Sequence, residues 1–140
     1  MIDFDNQTDF KCDIKDIEDV VTYITNKDLE VILVDNDTIQ NINKEYRNID
    51  KPTDVLSFPL DVFCEGMPIG SIIISVDKIK EGASSFGHSE IDELKLLLIH
   101  GILHLIGYDH EVDNGEMREK EKEIIQAFDL PDSLIVRVEK

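Results

Sequence analysis

The segment from Leu96 to Gly107, LLLIHGILHLIG, is the longest apolar run in the chain and is broken only by His100 and His104. It falls short of the ~20 residues that span a bilayer, so a membrane helix is excluded. Ser89 with Asp92 three residues on makes a capping-box pattern before it, and Gly107 is suited to end it. The spacing predicts one helix from Glu90 to Ile106. Such a helix needs a core to sit in, and a chain of 140 residues can supply one without disulfides. At this size folding buries roughly 70% of the surface that the unfolded chain exposes.

The rest of the chain reads as short elements around that helix. A short strand is expected near Ile2 to Phe4, and Ile14, Ile17, Val20, Val21 and Ile24 then recur at helical spacing, with Asp13 as cap and an end near Asn26. Val31 to Val34 is a buried strand, and Thr38 to Arg47 a second helix with Ile39, Ile42 and Tyr46 on one side. Pro52 makes Asp50 to Thr53 a loop, and Val55 to Leu60 alternates as a strand that Pro59 places at an edge or at its own end. Ser71 to Val76 is an isoleucine-rich strand, followed by a short helix from Asp77 to Phe86 that Gly87 ends. A last charged helix runs from Gly115 to Phe128, capped by Asn114, and Leu134 to Val138 is either a further strand or a loose end. No repeat or linker divides the chain, which predicts a single α+β domain over 1–140: a small mixed sheet of about four strands packed with about five helices.

Charge narrows the function. Lys and Arg number 14 against 31 Asp and Glu, a formal net charge of −17, so a generally basic nucleic-acid surface is excluded while a local basic patch is not. Hydrophobic residues at 41% and charged ones at 32% argue for a globular chain rather than a disordered one. The start, MIDFDNQTDF, has no basic residue and so no mark of a cleaved leader. Cys12 and Cys64 show no paired spacing and read as small buried hydrophobes. Together these features predict a soluble protein of the reducing cytoplasm.

Three of the four histidines fall within HGILHLIGYDH, from His100 to His110. His100 and His104 are four apart and so share one face of the helix. Gly107 can turn the chain back and bring His110 to the same point. Three nitrogen ligands with a vacant fourth position describe a catalytic Zn²⁺ site, one metal per chain, although Asp109 or Glu111 would make it a closed structural one. The spacing HxxxHxxGxxH is that of the metzincin proteases, yet Gly101 stands where their general base Glu stands. What is left is a metal that activates water and polarises a phosphoryl or carbonyl oxygen.

Lys44, Arg47 and Lys51 form the second candidate, a basic cluster in an acidic chain, with Arg47 offering forked donors to a phosphate. The same residues also suit a solvated helix end, where cations favour the dipole. His88 is read as a surface-turn residue with no role, and the mixed charges of Glu116 to Glu123 as a solvated face.

HGILHLIGYDH resembles the signature of the YbeY-type family of bacterial endoribonucleases, or rRNA maturation factors, and NKEYRNIDKPTDVLSFP, from Asn43 to Pro59, resembles that family's other characteristic segment. The resemblance implies zinc held by His100, His104 and His110, a functional Arg47, single-stranded ribosomal RNA as substrate, and work in 16S rRNA maturation and ribosome quality control beside the ribosomal subunit or its associated proteins. One departure is Ser71, where the family usually carries Asp. Two further readings stay open: a metallopeptidase or amide hydrolase with its base supplied from elsewhere, and a non-catalytic ribosome assembly factor whose metal is structural. Within the nuclease reading, the attacking oxygen is either water or a neighbouring 2′-hydroxyl.

Overall fold

The computed structural model describes residues 2–59, 69–109 and 111–131. Their element order is β1 (Ile2–Asn6), α1 (Lys15–Ile24), β2 (Leu29–Val34), α2 (Asn36–Arg47), β3 (Val55–Pro59), β4 (Gly70–Ser75), α3 (Val76–Phe86), α4 (Glu90–Leu105) and α5 (Glu116–Phe128). The strands form one mixed sheet in the order β1-β2-β4-β3. The pairs β1/β2 and β2/β4 are parallel, and β3 runs antiparallel to β4, with Leu56 opposite Ile73 and Phe58 opposite Ser71. The expected α+β fold, with four strands and five helices, is what the described residues form.

Period-two alternation divides the sheet into two unequal faces. Leu29, Val31 and Leu33 of β2 and Ile72 and Ile74 of β4 point into the main core, where they meet Ile17 and Val21 of α1, Val76 and Ile79 of α3, and Leu94, Leu97, Leu98 and Ile102 of α4. The other face carries a smaller cluster, in which Val34, Leu56 and Ile73 pack under Ile39 of α2, with Ile42 and Phe58 beside them. α5 lies outside the first layer and inserts Met117 and Ile124 against Val20, Ile99 and Leu103. α4 is therefore covered by the sheet on one side and by helices on the others, which is the environment that its long apolar run demands.

The helix ends are set largely by the residues that the sequence marks. Ser89 accepts a hydrogen bond from Asp92 N at 3.0 Å and opens α4. At α1 the N-cap is Ile14, without a side-chain bond, rather than the expected Asp13, which stands one residue earlier: its Oδ1 accepts from Lys15 N, and Asp16 Oδ2 accepts from Asp13 N. Asp35 caps α2 by accepting from Thr38 N at 2.8 Å, and that bond holds its carboxyl below the ordinary value. Several boundaries differ from expectation: β2 starts at Leu29 rather than Val31, and α2 at Asn36 rather than Thr38. Ser75 caps α3, so Val76 belongs to that helix and not to β4. At α5 the N-cap is Gly115, in the left-handed conformation, not the expected Asn114, and Asp113 just before it accepts from Gly115 N and Met117 N. Leu60, Cys64 and the segment Leu134 to Val138 lie outside the described residues. Cys12 is half-buried beside the core, where burial and then Asp16 push its thiol up to about 12, in keeping with an inert structural cysteine.

Candidate metal centre and RNA-facing edge

α4 holds its histidines at the end where it crosses β3 and β4. The crossing is close because position 101 is glycine: a Cβ there would lie 3.1 Å from Val55 Cγ2 and 3.2 Å from both Ile72 Cγ2 and Ser57 Oγ. Ser57 Oγ donates to Gly101 O at 3.0 Å and ties the helix to β3. Position 101 thus faces the sheet, and a carboxylate placed there would meet β-strand side chains. The missing protease base has a packing cause.

On the flank of α4 next to Gly101, His100 and His104 stand one above the other, with ring centroids 4.7 Å apart and planes at 76°. Their Nε2 atoms face each other at 3.1 Å. His100 Nδ1 donates to Glu121 Oε1 at 2.8 Å, so its Nε2 presents a lone pair toward His104. At that separation the two nitrogens either share a hydrogen bond, with His104 Nε2–H as donor, or hold a metal ion between them. This donor set fits a divalent transition metal, for which neutral imidazole is a favoured ligand. The chain leaves α4 through a turn that keeps it near this point: Gly107 takes φ +106°, its N–H bonds to His104 O at 3.2 Å, and Tyr108 N bonds to Leu103 O at 3.0 Å. His110, the expected third ligand, lies outside the described residues, and among the described residues no group of three or more potential ligands gathers.

Glu121 is the residue that sequence reasoning missed. The charged stretch Glu116 to Glu123 is not wholly a solvated face: Met117, Glu121 and Ile124 point inward, and Glu121 is 1% exposed. The readable signal was the spacing 117, 121, 124, which puts a carboxylate on the apolar stripe of the helix. A second correction concerns His88. Its side chain is only 9% exposed and its Nε2 lies 2.7 Å from Oε1 of the buried Glu93.

Arg47 is exposed at the last residue of α2, and Asn48 follows it in the left-handed conformation. α2 covers the face of the sheet opposite α4, so Arg47 and the imidazoles do not share a face. They flank the same strand. Tyr46 sets its ring against Phe58 of β3, with centroids 5.6 Å apart, and the neighbouring Ser57 is bonded to α4. Among the described residues, β3 pairs only with β4 and forms one edge of the sheet. Of the other two cations in the cluster, Lys44 makes a long ion pair with Asp50 at 3.9 Å, and Lys51 is exposed. Ser71 sits on the α2 face and donates to Glu30 Oε1 at 2.7 Å, so the departure from the family's usual Asp does not touch the imidazoles.

The family model described as Endoribonuclease YbeY matches residues 3–129. The chain belongs to the YbeY family. A protein of Nautilia profundicola named endoribonuclease YbeY is 58% identical over 139 residues, covering 99% of both chains. One of Wolinella succinogenes with the same name is 52% identical over 140 residues, covering 100% of this chain and 99% of the other. Among solved structures, a solution structure of a Thermotoga maritima protein aligns with a TM-score of 0.61 at 35% identity, covering 90% of this chain and 87% of that one. The YbeY fold of this chain therefore extends well beyond the two motifs that suggest it.

Proposed function

We propose that this chain is a metal-dependent endoribonuclease that cuts single-stranded RNA, acting in 16S rRNA maturation and ribosome quality control in the cytoplasm. The observation that carries the reading is the facing Nε2 pair of His100 and His104, backed by a buried carboxylate. The names of the relatives, endoribonuclease YbeY, support RNA as the substrate. His100, His104 and His110 would hold one zinc ion, and residues 1–140 would act as one domain. A bound divalent metal supplies Lewis-acid stabilisation of a phosphoryl oxygen and activation of an attacking oxygen.

The chain's own residues do the rest. Ile99 and Leu103, buried on α4, pack with Met117 and Ile124 of α5 and so hold in place the helix that carries Glu121, the partner of His100. Arg47, exposed beside the β3 edge, would grip a phosphate on the strand that crosses that edge, supplying one of the few cations near a −17 chain. The aromatic pair of Tyr46 and Phe58 braces the end of the helix that carries it. Peptide hydrolysis is disfavoured because the base position is filled by a glycine that the sheet requires.

The test is cleavage of a single-stranded RNA and of a casein-type substrate by one purified sample, before and after chelation and after zinc is returned. The reading predicts chelator-sensitive RNA cleavage, restored by metal, with no comparable proteolysis. RNA cleavage indifferent to complete metal removal, or robust metal-dependent proteolysis without RNA cleavage, would overturn it.

A further inference from the structure

We infer that Glu121 is a positioning residue for the metal centre: its carboxylate fixes which nitrogen of His100 carries the proton and aims the other at the metal. The inference rests on the metal reading above. Glu121 is 1% exposed, and its Oε1 takes the Nδ1–H of His100 at 2.8 Å. Its second oxygen, Oε2, is buried without a hydrogen-bond partner among the described residues. A carboxylate half-satisfied in an apolar layer of Met117, Ile124, Ile99 and Leu103 is a costly way to join two helices, since one of its oxygens brings a desolvation penalty with no bond to offset it. Its orientation shows what the expense supports. Glu121 meets the nitrogen turned away from His104, so it is not itself a ligand; it acts through the ring, leaving Nε2 to face His104 at 3.1 Å. Electron density drawn toward the ring from a carboxylate raises the basicity of the liganding nitrogen, and the hydrogen bond stops the ring from flipping.

Glu121 comes from α5, outside the segment that holds the three histidines, so this contact also couples docking of α5 to the competence of the centre. The variant that separates positioning from packing is Glu121→Gln, which keeps the side-chain shape and an acceptor for Nδ1–H. Glu121→Asp keeps the carboxylate but withdraws it from the ring. Zinc affinity of the folded proteins is read by competition with a chromophoric chelator, and stability of the metal-free proteins by urea unfolding.

Glu121→Gln is expected to weaken zinc about tenfold or more, while the metal-free protein is as stable as the wild type or more so, because a buried unsatisfied carboxylate is gone. Glu121→Asp should also bind zinc more weakly. If both variants fold and hold zinc as tightly as the wild type, the inference is overturned while the metal reading stands. If the wild type itself takes up no zinc, the metal reading fails and this inference fails with it.

Discussion

α4 carries the same chemical pair at both of its ends, and the two pairs have different fates. Near its start, Glu93 accepts from His88 Nε2 at 2.7 Å; near its end, His100 Nδ1 reaches Glu121 at 2.8 Å, and both carboxylates are 1% exposed. Distance and burial do not tell them apart. The partner of the ring does. His88 stacks on Phe86, with planes at 11°, and joins the end of α3 to α4. His100 spends its Nδ1 instead and turns Nε2 toward a second imidazole. A buried His–Glu pair is thus a staple when it ends in packing; where the remaining nitrogen faces a second imidazole, as at His100, it suits the ligand support proposed above.

The comparison is broken most severely at the functional end. His104→Ala removes the nitrogen that faces His100, and it should abolish stoichiometric metal and lower RNA cleavage by several orders of magnitude while leaving a folded protein, as checked by metal analysis and circular dichroism. Gly101→Glu comes next. With 3.1–3.2 Å to β3 and β4 side chains, even a methyl group is crowded there. The variant should lose about 3 kcal/mol or more of stability in urea unfolding, without gaining protease activity.

At the staple end, His88→Ala leaves Glu93 buried without its imidazole and should cost about 3 kcal/mol by the same measurement. Metal content and RNA cleavage per folded molecule should be those of the wild type, and a loss of metal in this variant would erase the distinction between the two pairs. Arg47→Glu, on the other side of the β3 edge, should keep fold and metal and lose RNA cleavage by about a hundredfold, or roughly 2.7 kcal/mol in the barrier. Arg47→Lys should recover only part of that, since it keeps the charge but not the fork. The smallest effect is expected at Ser71→Ala, which removes one partly buried hydrogen bond to Glu30 and should cost about 1 kcal/mol with no change in metal affinity.

These contrasts also show what was legible in the chain. The elements were readable where side-chain period and caps agree, as along α4, where Ser89 and Gly107 bracket an apolar run. His100 and His104 were readable because four residues of helix put them on one face. The placement of Arg47 on the sheet face opposite α4 was not, because the layer in which a helix lies follows from strand order, and no local pattern encodes β1-β2-β4-β3. Glu121 and His88 were hidden for a related reason: a carboxylate or imidazole next in sequence to solvated charges reads as solvated until its partner on another helix is known. The α5 cap falls on Gly115 rather than Asn114 because a one-residue shift in a polar turn is finer than sequence signals resolve.

The central claim is that the paired Nε2 atoms on α4 hold the metal on which RNA cleavage depends. The most direct measurement is metal stoichiometry of wild type and His104→Ala, taken on the same samples used for RNA cleavage across pH. The account predicts one metal per wild-type chain, lost as pH falls below about 6 and protons displace it from imidazole, none in His104→Ala, and cleavage that follows occupancy in every sample. Full metal content in a folded His104→Ala protein, or cleavage that persists in the metal-free samples, would contradict it.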